Sequence, residues 1–258
     1  MTTFPAGTFT PAPGRGRTGH MLLVHTRTEA VLTLRNSEQI LLTLLIPVAL
    51  LVGLTVLDIF DVPEPRIDSV TPRILALAVM SSAFTGQAIA LGFDRRYGVL
   101  KRLAATALPR WLLVTGRSTA ALVVVAVQLV VLGLVAALLG WAPQLAGIIW
   151  ALLLVVLGTL AFGALGVLLG GALKAEIVLA LANLVWFVLL LAGGIVVPAS
   201  TMPGVLADLV PLLPSGALAD GLRTALVDGA FPGFGPLAVL AGWGAAAGLL
   251  ATRTTKLA

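Results

Sequence analysis

The sequence predicts an all-α integral membrane protein of six transmembrane helices flanked by short surface helices, and three observations carry that prediction. The chain of 258 residues is 59% hydrophobic and only 10% charged, where soluble domains run to about 45–50% and about 25%. Its apolar residues fall into six stretches, roughly 39–57, 73–93, 112–139, 146–170, 177–197 and 234–251. A bilayer crossing takes about 20 apolar residues, so each stretch is a candidate span. None keeps a period of two, and all are too long for strands. Third, the basic residues segregate to one side of these spans, as worked out below.

Residues 1–19 are rich in Pro, Gly and Thr with no apolar run, the composition of a disordered tail. They do not form a signal peptide, because the first sustained apolar run begins only near Ile40 and is too long for an h-region. Residues 20–258 then form one transmembrane domain. From His20 to Arg35, apolar Met21, Leu22, Val24, Val31, Leu32 and Leu34 alternate with His25, Arg27, Glu29 and Arg35. Such a mixed segment suits a helix lying along the membrane surface. Spans 3 and 4 are joined by a tight turn, Gly140 to Leu145, and spans 4 and 5 by Gly171 to Glu176. In the longer connection 198–233, Ser200 or Thr201 is positioned to cap a short helix with Pro203 in its first turn. Ser215 is positioned to cap a second, with Leu218, Leu222, Ala225 and Leu226 on one face. Each is too short to span.

Charge sets the orientation. With the N-terminus inside, the inner segments hold 13 of the 16 basic residues, and only Arg66, Arg73 and Arg223 lie outside. Four acidic residues (Glu29, Glu38, Asp94, Glu176) lie inside and seven outside. The Lys/Arg bias governs topology, so both termini are expected in the cytoplasm. This also accounts for the basic balance without a nucleic-acid partner. Only three of the basic residues are lysine (Lys101, Lys174, Lys256), a composition typical of a GC-rich bacterial genome. A bacterial cytoplasmic membrane is the expected location.

Several chemistries are excluded. There is no cysteine, hence no disulfide, thiolate site or Cys nucleophile. A P-loop ends in Gly-Lys-Ser/Thr, whereas Leu100, Leu173 and Thr255 precede the three lysines. His20 and His25 do not form an HExxH zinc site, and no metal site is expected. Gly116-Arg117-Ser118-Thr119-Ala120 only approaches the GxSxG pattern, and no span contains a histidine to act as base. Ionisable groups are missing from the span middles, which disfavours a proton-coupled carrier. Gln87, Gln128 and Asn183 are the main polar groups there; they could line a pathway, though hydrogen bonding between helices is the commoner role. Gly166-xxx-Gly170 and Gly244-xxx-Gly248 fit close helix packing.

One segment has distinctive chemistry. After span 2 come Asp94, Arg95, Arg96, Tyr97, Gly98, Val99, Leu100, Lys101, Arg102 and Leu103, the most basic stretch of the chain. Leu100, Leu103 and Ala107 recur at helical spacing while Lys101 and Arg102 point elsewhere. A short cytoplasmic helix there would offer apolar knobs and cations to a soluble partner. Gly98 would permit either a close approach or a sharp turn.

The segment resembles the first cytoplasmic loop of ABC-2 type transporter permeases, with Asp94 in place of the family's Glu, and Gly98, Leu100, Leu103 and Thr106 matching; the family's Pro falls at Ala107, with Pro109 two residues on. Arg35 to Leu51, with Pro47, is similar to the family's first span. Gly193-Gly194, Pro198, Met202-Pro203, Pro211 or Pro214, and Leu222-Arg223 are similar to its outer region between spans 5 and 6. The resemblance implies a permease subunit of an ATP-driven exporter with no ATPase site of its own. It implies a second permease subunit, identical or not, and two ABC ATPase subunits that bind ATP and Mg2+; no cofactor belongs to this chain. A helix at about 95–106 would couple to the ATPase through Asp94, Arg95, Arg96, Gly98, Leu100, Lys101, Arg102 and Leu103. Pro198, Pro203, Asp220 and Arg223 would form an outer gate. A small amphipathic, drug-like or lipid-like substrate fits spans without a charged clamp. The competing class is a non-transport integral membrane scaffold or assembly factor.

Overall fold

The computed structural model describes residues 5, 8, 16–57, 64–106, 109–197 and 202–254, and of 37–42, 104 and 110 the backbone alone. Most of the expected tail, the capping candidates Ser200 and Thr201, Ala107 and the gate residue Pro198 lie outside these residues. The described chain is helical, and no strand occurs in it.

Helix α1 (Thr18–Arg35) ends where Asn36 leaves helical geometry (ψ 91°) and donates its N–H back to Leu32 and Thr33. Its buried residues, His25 and Ala30, face α6. Helix α2 (Ser37–Val56) carries Pro47 within it and corresponds to the first predicted span. The second span is one continuous rod: α3 (Arg66–Met80), a π-helical turn (Ser81–Gly86) and α4 (Gln87–Arg96). It is longer than the apolar stretch 73–93 at both ends. The backbone stays helical past the charged residues Asp68, Arg73, Asp94 and Arg95, where hydropathy falls but hydrogen bonding does not. Beyond a two-residue turn lies α5 (Val99–Ala104), then α6 (Arg110–Leu138), a 3-10 turn leading into α7 (Ile148–Ala172), and α8 (Ala175–Ala192). The outer connection folds as α9 (Gly204–Leu209) and α10 (Pro214–Leu226), and α11 (Phe234–Thr254) closes the chain.

Among the described residues, five helical rods are long and apolar enough to cross a membrane: 66–96, 111–138, 145–172, 175–192 and 234–254. The arms 204–212 and 214–226 meet at 79°, and neither alone reaches the length of a span. The rods around the 66–96 helix expose broad apolar faces, for instance Leu134 and Leu138 on α6 and Ile149 and Leu152 on α7, as lipid contact demands.

The 66–96 rod is the hub, because α2, α6, α7, α8 and α10 all pack on it. Val70 to Phe84 is buried almost without interruption. Small residues make the close approach possible. A Cβ on Gly166 would lie 2.7 Å from the Phe84 carbonyl oxygen, and one on Gly170 would lie 2.5 Å from that of Ala88. Of the second glycine pair, Gly244 faces the Ala161 backbone at 3.3 Å, while Gly248 meets nothing within 4 Å. The π turn is held by polar side chains. Ser81 donates to the Leu77 carbonyl (2.8 Å) and accepts from the Trp186 indole (2.9 Å), and Ser82 donates to Gln128 (2.6 Å). Hydroxyls inserted into the helical ladder are a known cause of such irregularities.

Helix α10 corrects one expectation. Ser215 does not cap it: the helix begins one residue earlier, with Pro214 at its first position and Leu213 as N-cap. Proline at that position has no N–H of its own to satisfy, and its fixed φ suits the first turn. Ser215 instead sits fully buried and donates to the Leu189 carbonyl of α8 (3.3 Å). Leu218, Leu222, Ala225 and Leu226 do share the buried face, against α3 and α7.

Candidate functional site

The distinctive basic segment folds at one end of the hub. Its first three residues, Asp94, Arg95 and Arg96, continue α4 and do not belong to the short helix expected at 95–106. The chain then turns at Tyr97 and Gly98, and α5 occupies only Val99–Ala104. Gly98 has φ 69° and ψ 18°, the left-handed conformation that strains every residue with a Cβ, and space is open around it. Of the two roles open to Gly98, the sharp turn is present in the structure. Arg102 folds back to donate to the Tyr97 carbonyl (3.3 Å), bracing α5 against the turn.

The acidic and basic residues at the end of α4 are held by the chain itself. Asp94 pairs with Arg117 of α6, and that guanidinium also lies 3.8 Å from Glu29 of α1. Arg117 is only 11% exposed, so its two carboxylate neighbours replace lost water. On the other side of Glu29, 4.0 Å away, is the Nδ1 of His25. The Nε2 of His25 lies 3.4 Å from the Leu113 carbonyl oxygen of α6. Gly116 makes room for this ring: a Cβ there would sit 2.2 Å from His25 Cδ2. Thus α1, α4 and α6 are clamped together around one arginine.

Arg95 donates to the Gly170 (3.1 Å) and Leu173 (3.2 Å) carbonyls at the end of α7. A cation there satisfies carbonyls that the helix leaves unpaired and offsets its negative end. Arg96 pairs with Glu176 in the first turn of α8 and lies over the Tyr97 ring (5.9 Å). What remains outward is α5: Lys101 and Arg102 are exposed, Leu100 and Leu103 half-buried, and Tyr97 is 65% exposed. A short helix that presents Lys101, Arg102 and partly accessible leucines thus stands on a base fixed to four other helices.

The other expected site residues are scattered. Gln128 is buried; it accepts from Ser82 and donates to the Thr43 carbonyl (3.5 Å), tying α6 to the hub and to α2. Asn183 is exposed on α8 and donates to Leu179 of its own helix (2.9 Å). Gln87 is half-buried at the start of α4, its Cβ beside Gly166. These three do not converge on one cavity. At the opposite end of the hub, Pro203 precedes α9, and Arg223 pairs with Asp228 at 3.2 Å. Asp220 is exposed on α10, within electrostatic reach of Arg73 and Arg223. Glu29, His25 and Glu176 did not stand out in the sequence, because Arg117, Leu113 and Arg96, which they meet on other helices, are 80 or more positions away in the chain. Among the described residues no cluster of His, Asp and Glu is arranged to hold a metal ion.

A family model described as ABC-2 type transporter matches residues 21–227, the stretch from α1 through α10. No curated protein matches the chain.

Proposed function

The chain belongs to the ABC-2 type transporter family, and on that premise we propose that it is the permease subunit of an ATP-driven exporter whose ATPase docks on α5. Membership makes it a multi-pass membrane component that works with an ABC ATPase. It argues against the non-transport scaffold. The finer reading is our own: two such subunits, identical or not, form the pathway, with one ATPase beneath each. Both termini and α5 face the cytoplasm of a bacterial cell, as the 13-to-3 distribution of basic residues supports.

The observation that carries this reading is the attachment of α5. It hangs by two residues from the most buried span of the bundle, and that same span packs against α10 at its other end. A displacement of α5 therefore reaches both faces of the membrane through one rod. The Arg117 clamp makes α1 and the start of α6 move with it. The π turn, midway along the rod, is where the helix departs from regular bonding and can absorb a change in axis. ATP with Mg2+ supplies energy on the partner subunits. This chain converts their closure into a shift between inward-facing and outward-facing arrangements, because the partner contacts α5 differently in the two states. The outer arm α9–α10, with Pro203, Asp220 and Arg223, rides on the hub and shapes the exit. The substrate we favour is small and amphipathic, drug-like or lipid-like, since the spans present no charged clamp.

The test is co-expression with the P-loop ATPase that partners it. The chain purified alone should hydrolyse no ATP. The pair should co-purify, hydrolyse ATP, and load substrate into inverted vesicles only when ATP is present. Failure of every candidate ATPase to bind would overturn the docking assignment; uptake without ATP would overturn the ATP-driven mechanism.

A further inference from the structure

Between α5 and the α7–α8 turn lies a cavity of about 460 Å³, lined by Gly92, Arg95, Arg96, Leu100, Lys101, Ala172, Leu173, Lys174, Ala175 and Glu176. That volume lies within the range of small-ligand pockets. Four of its lining side chains are cationic and one is anionic, a net of three positive charges by subtraction. Glu176 is already committed to Arg96. Arg95 bonds the α7 carbonyls through Nη1 alone, so its Nη2 and Nε have no partner among the described residues. Lys101 and Lys174 likewise have no bond or ion pair among them. A cavity this basic, whose floor of Gly92, Leu100, Ala172 and Leu173 is small or apolar, is unbalanced until an anion enters it.

Its position indicates how that anion arrives. The cavity opens at the ends of α4, α7 and α8, where three membrane rods stop. At 100° per residue, Ala180, Leu184, Phe187 and Leu191 continue the face of α8 that carries Glu176. Leu184, Phe187 and Leu191 are 59%, 55% and 54% exposed. From Glu176 to Leu191 the helix rises about 22 Å, enough to lie along an extended acyl chain. Basic pockets at the ends of transmembrane helices beside an apolar face are suited to anionic headgroups.

We propose that this cavity binds the phosphate headgroup of an anionic phospholipid, with Arg95, Lys101 and Lys174 around the phosphate and an acyl chain along the Leu184–Leu191 face of α8. The lipid wedges α5 against the α7–α8 turn, so its presence sets the position from which α5 meets its partner. Placing it in the inner leaflet rests on the orientation proposed above; the binding itself does not.

The experiment is a titration of detergent-solubilised protein with short-chain phosphatidylglycerol and phosphatidylcholine, and with glycerol 3-phosphate as the tail-less anion. Phosphatidylglycerol should bind at least tenfold more tightly than phosphatidylcholine. Lys174→Gln should weaken it by about fivefold, the loss expected for one cation near a headgroup, and Lys174→Arg should restore it. Arg27→Gln, which removes an exposed cation from α1, should leave binding unchanged and serves as the charge control. Equal affinity for the two lipids would overturn the proposal, as would Lys174→Gln binding like wild type. Binding of glycerol 3-phosphate as tight as that of phosphatidylglycerol would assign the cavity to a soluble phosphate and overturn the lipid. Because the assay is in detergent, an inverted topology would leave these results intact and would show itself only in labelling of whole cells.

Discussion

Replacing Gly166 by alanine tests the packing of the hub in a way that can be worked from distances. The added Cβ would sit 2.7 Å from the Phe84 carbonyl oxygen and 3.2 Å from that of Ala83. Both neighbours are backbone atoms of the π turn, so no side-chain rotation can relieve these contacts. Ordinary contact needs about 3.4 Å or more, so α7 must part from the hub by roughly 0.7 Å. Overpacking of this kind costs about 1–3 kcal/mol. Gly248→Ala has the opposite expectation. Nothing lies within 4 Å of its Cβ, and replacing a mid-helix glycine gains about 0.5–1 kcal/mol. Thermal unfolding in one detergent, followed by circular dichroism, compares the two variants. Gly166→Ala should lower the midpoint by about 3–10 °C, and Gly248→Ala should hold or raise it. Equal midpoints, or a larger loss for Gly248→Ala, would refute the placement of α7 on the second span.

Two further outcomes follow from the same contacts. The absence of native cysteine makes single-cysteine labelling clean: Ala105→Cys, exposed just after α5, should react with an impermeant reagent only in opened cells, and Asp208→Cys, exposed on α9, in intact ones. Reaction of Ala105→Cys from outside would invert the topology. Arg117→Met should leave Asp94 and Glu29 without their shared cation at a cost of about 1–3 kcal/mol, discounted for partial exposure. Hydrogen exchange of α1 amides should then rise at least tenfold while that of α7 holds; unchanged protection of α1 would mean that the clamp does not hold it.

Hydropathy made the spans legible because lipid-facing rods must be apolar along their length, and five of the six predicted stretches coincide with long apolar helices. The ends were less legible. Asp94 and Arg95 depress the hydropathy of α4 while leaving its hydrogen bonding intact, so a helix that ends at Arg96 read as a loop beginning at Asp94. For the same reason α5 looked twice its length. Gly98 left a close approach and a sharp turn equally open in the sequence, and only its φ of 69° shows that it turns the chain. Ser215 matched the residue preference of an N-cap, yet the neighbouring Pro214 starts the helix and releases the hydroxyl for α8. The Arg117 clamp was invisible for a different reason. Ion pairs at separations of 23 and 88 residues carry no local pattern, and each partner alone reads as a span-end charge. Gly166-xxx-Gly170 and Gly244-xxx-Gly248 are the same motif in sequence, and only the neighbouring backbones tell their packing apart.

The central claim, that α5 receives the ATPase and passes its motion to the hub, is tested most directly by Leu103→Asp in the reconstituted complex. Leu103 is half-buried on α5 and its backbone is plainly helical, so the change adds no strain of the kind Gly98→Trp would impose. An unpaired carboxylate in an apolar contact costs enough to weaken docking by tenfold or more. Thr252→Asp, exposed in the last turns of α11, adds the same charge away from α5. The measurement is ATPase co-purification together with transport per ATP hydrolysed in proteoliposomes. The account predicts that Leu103→Asp loses the partner or uncouples hydrolysis from transport by at least tenfold, while Thr252→Asp behaves as wild type. Wild-type assembly and coupling in Leu103→Asp would contradict it.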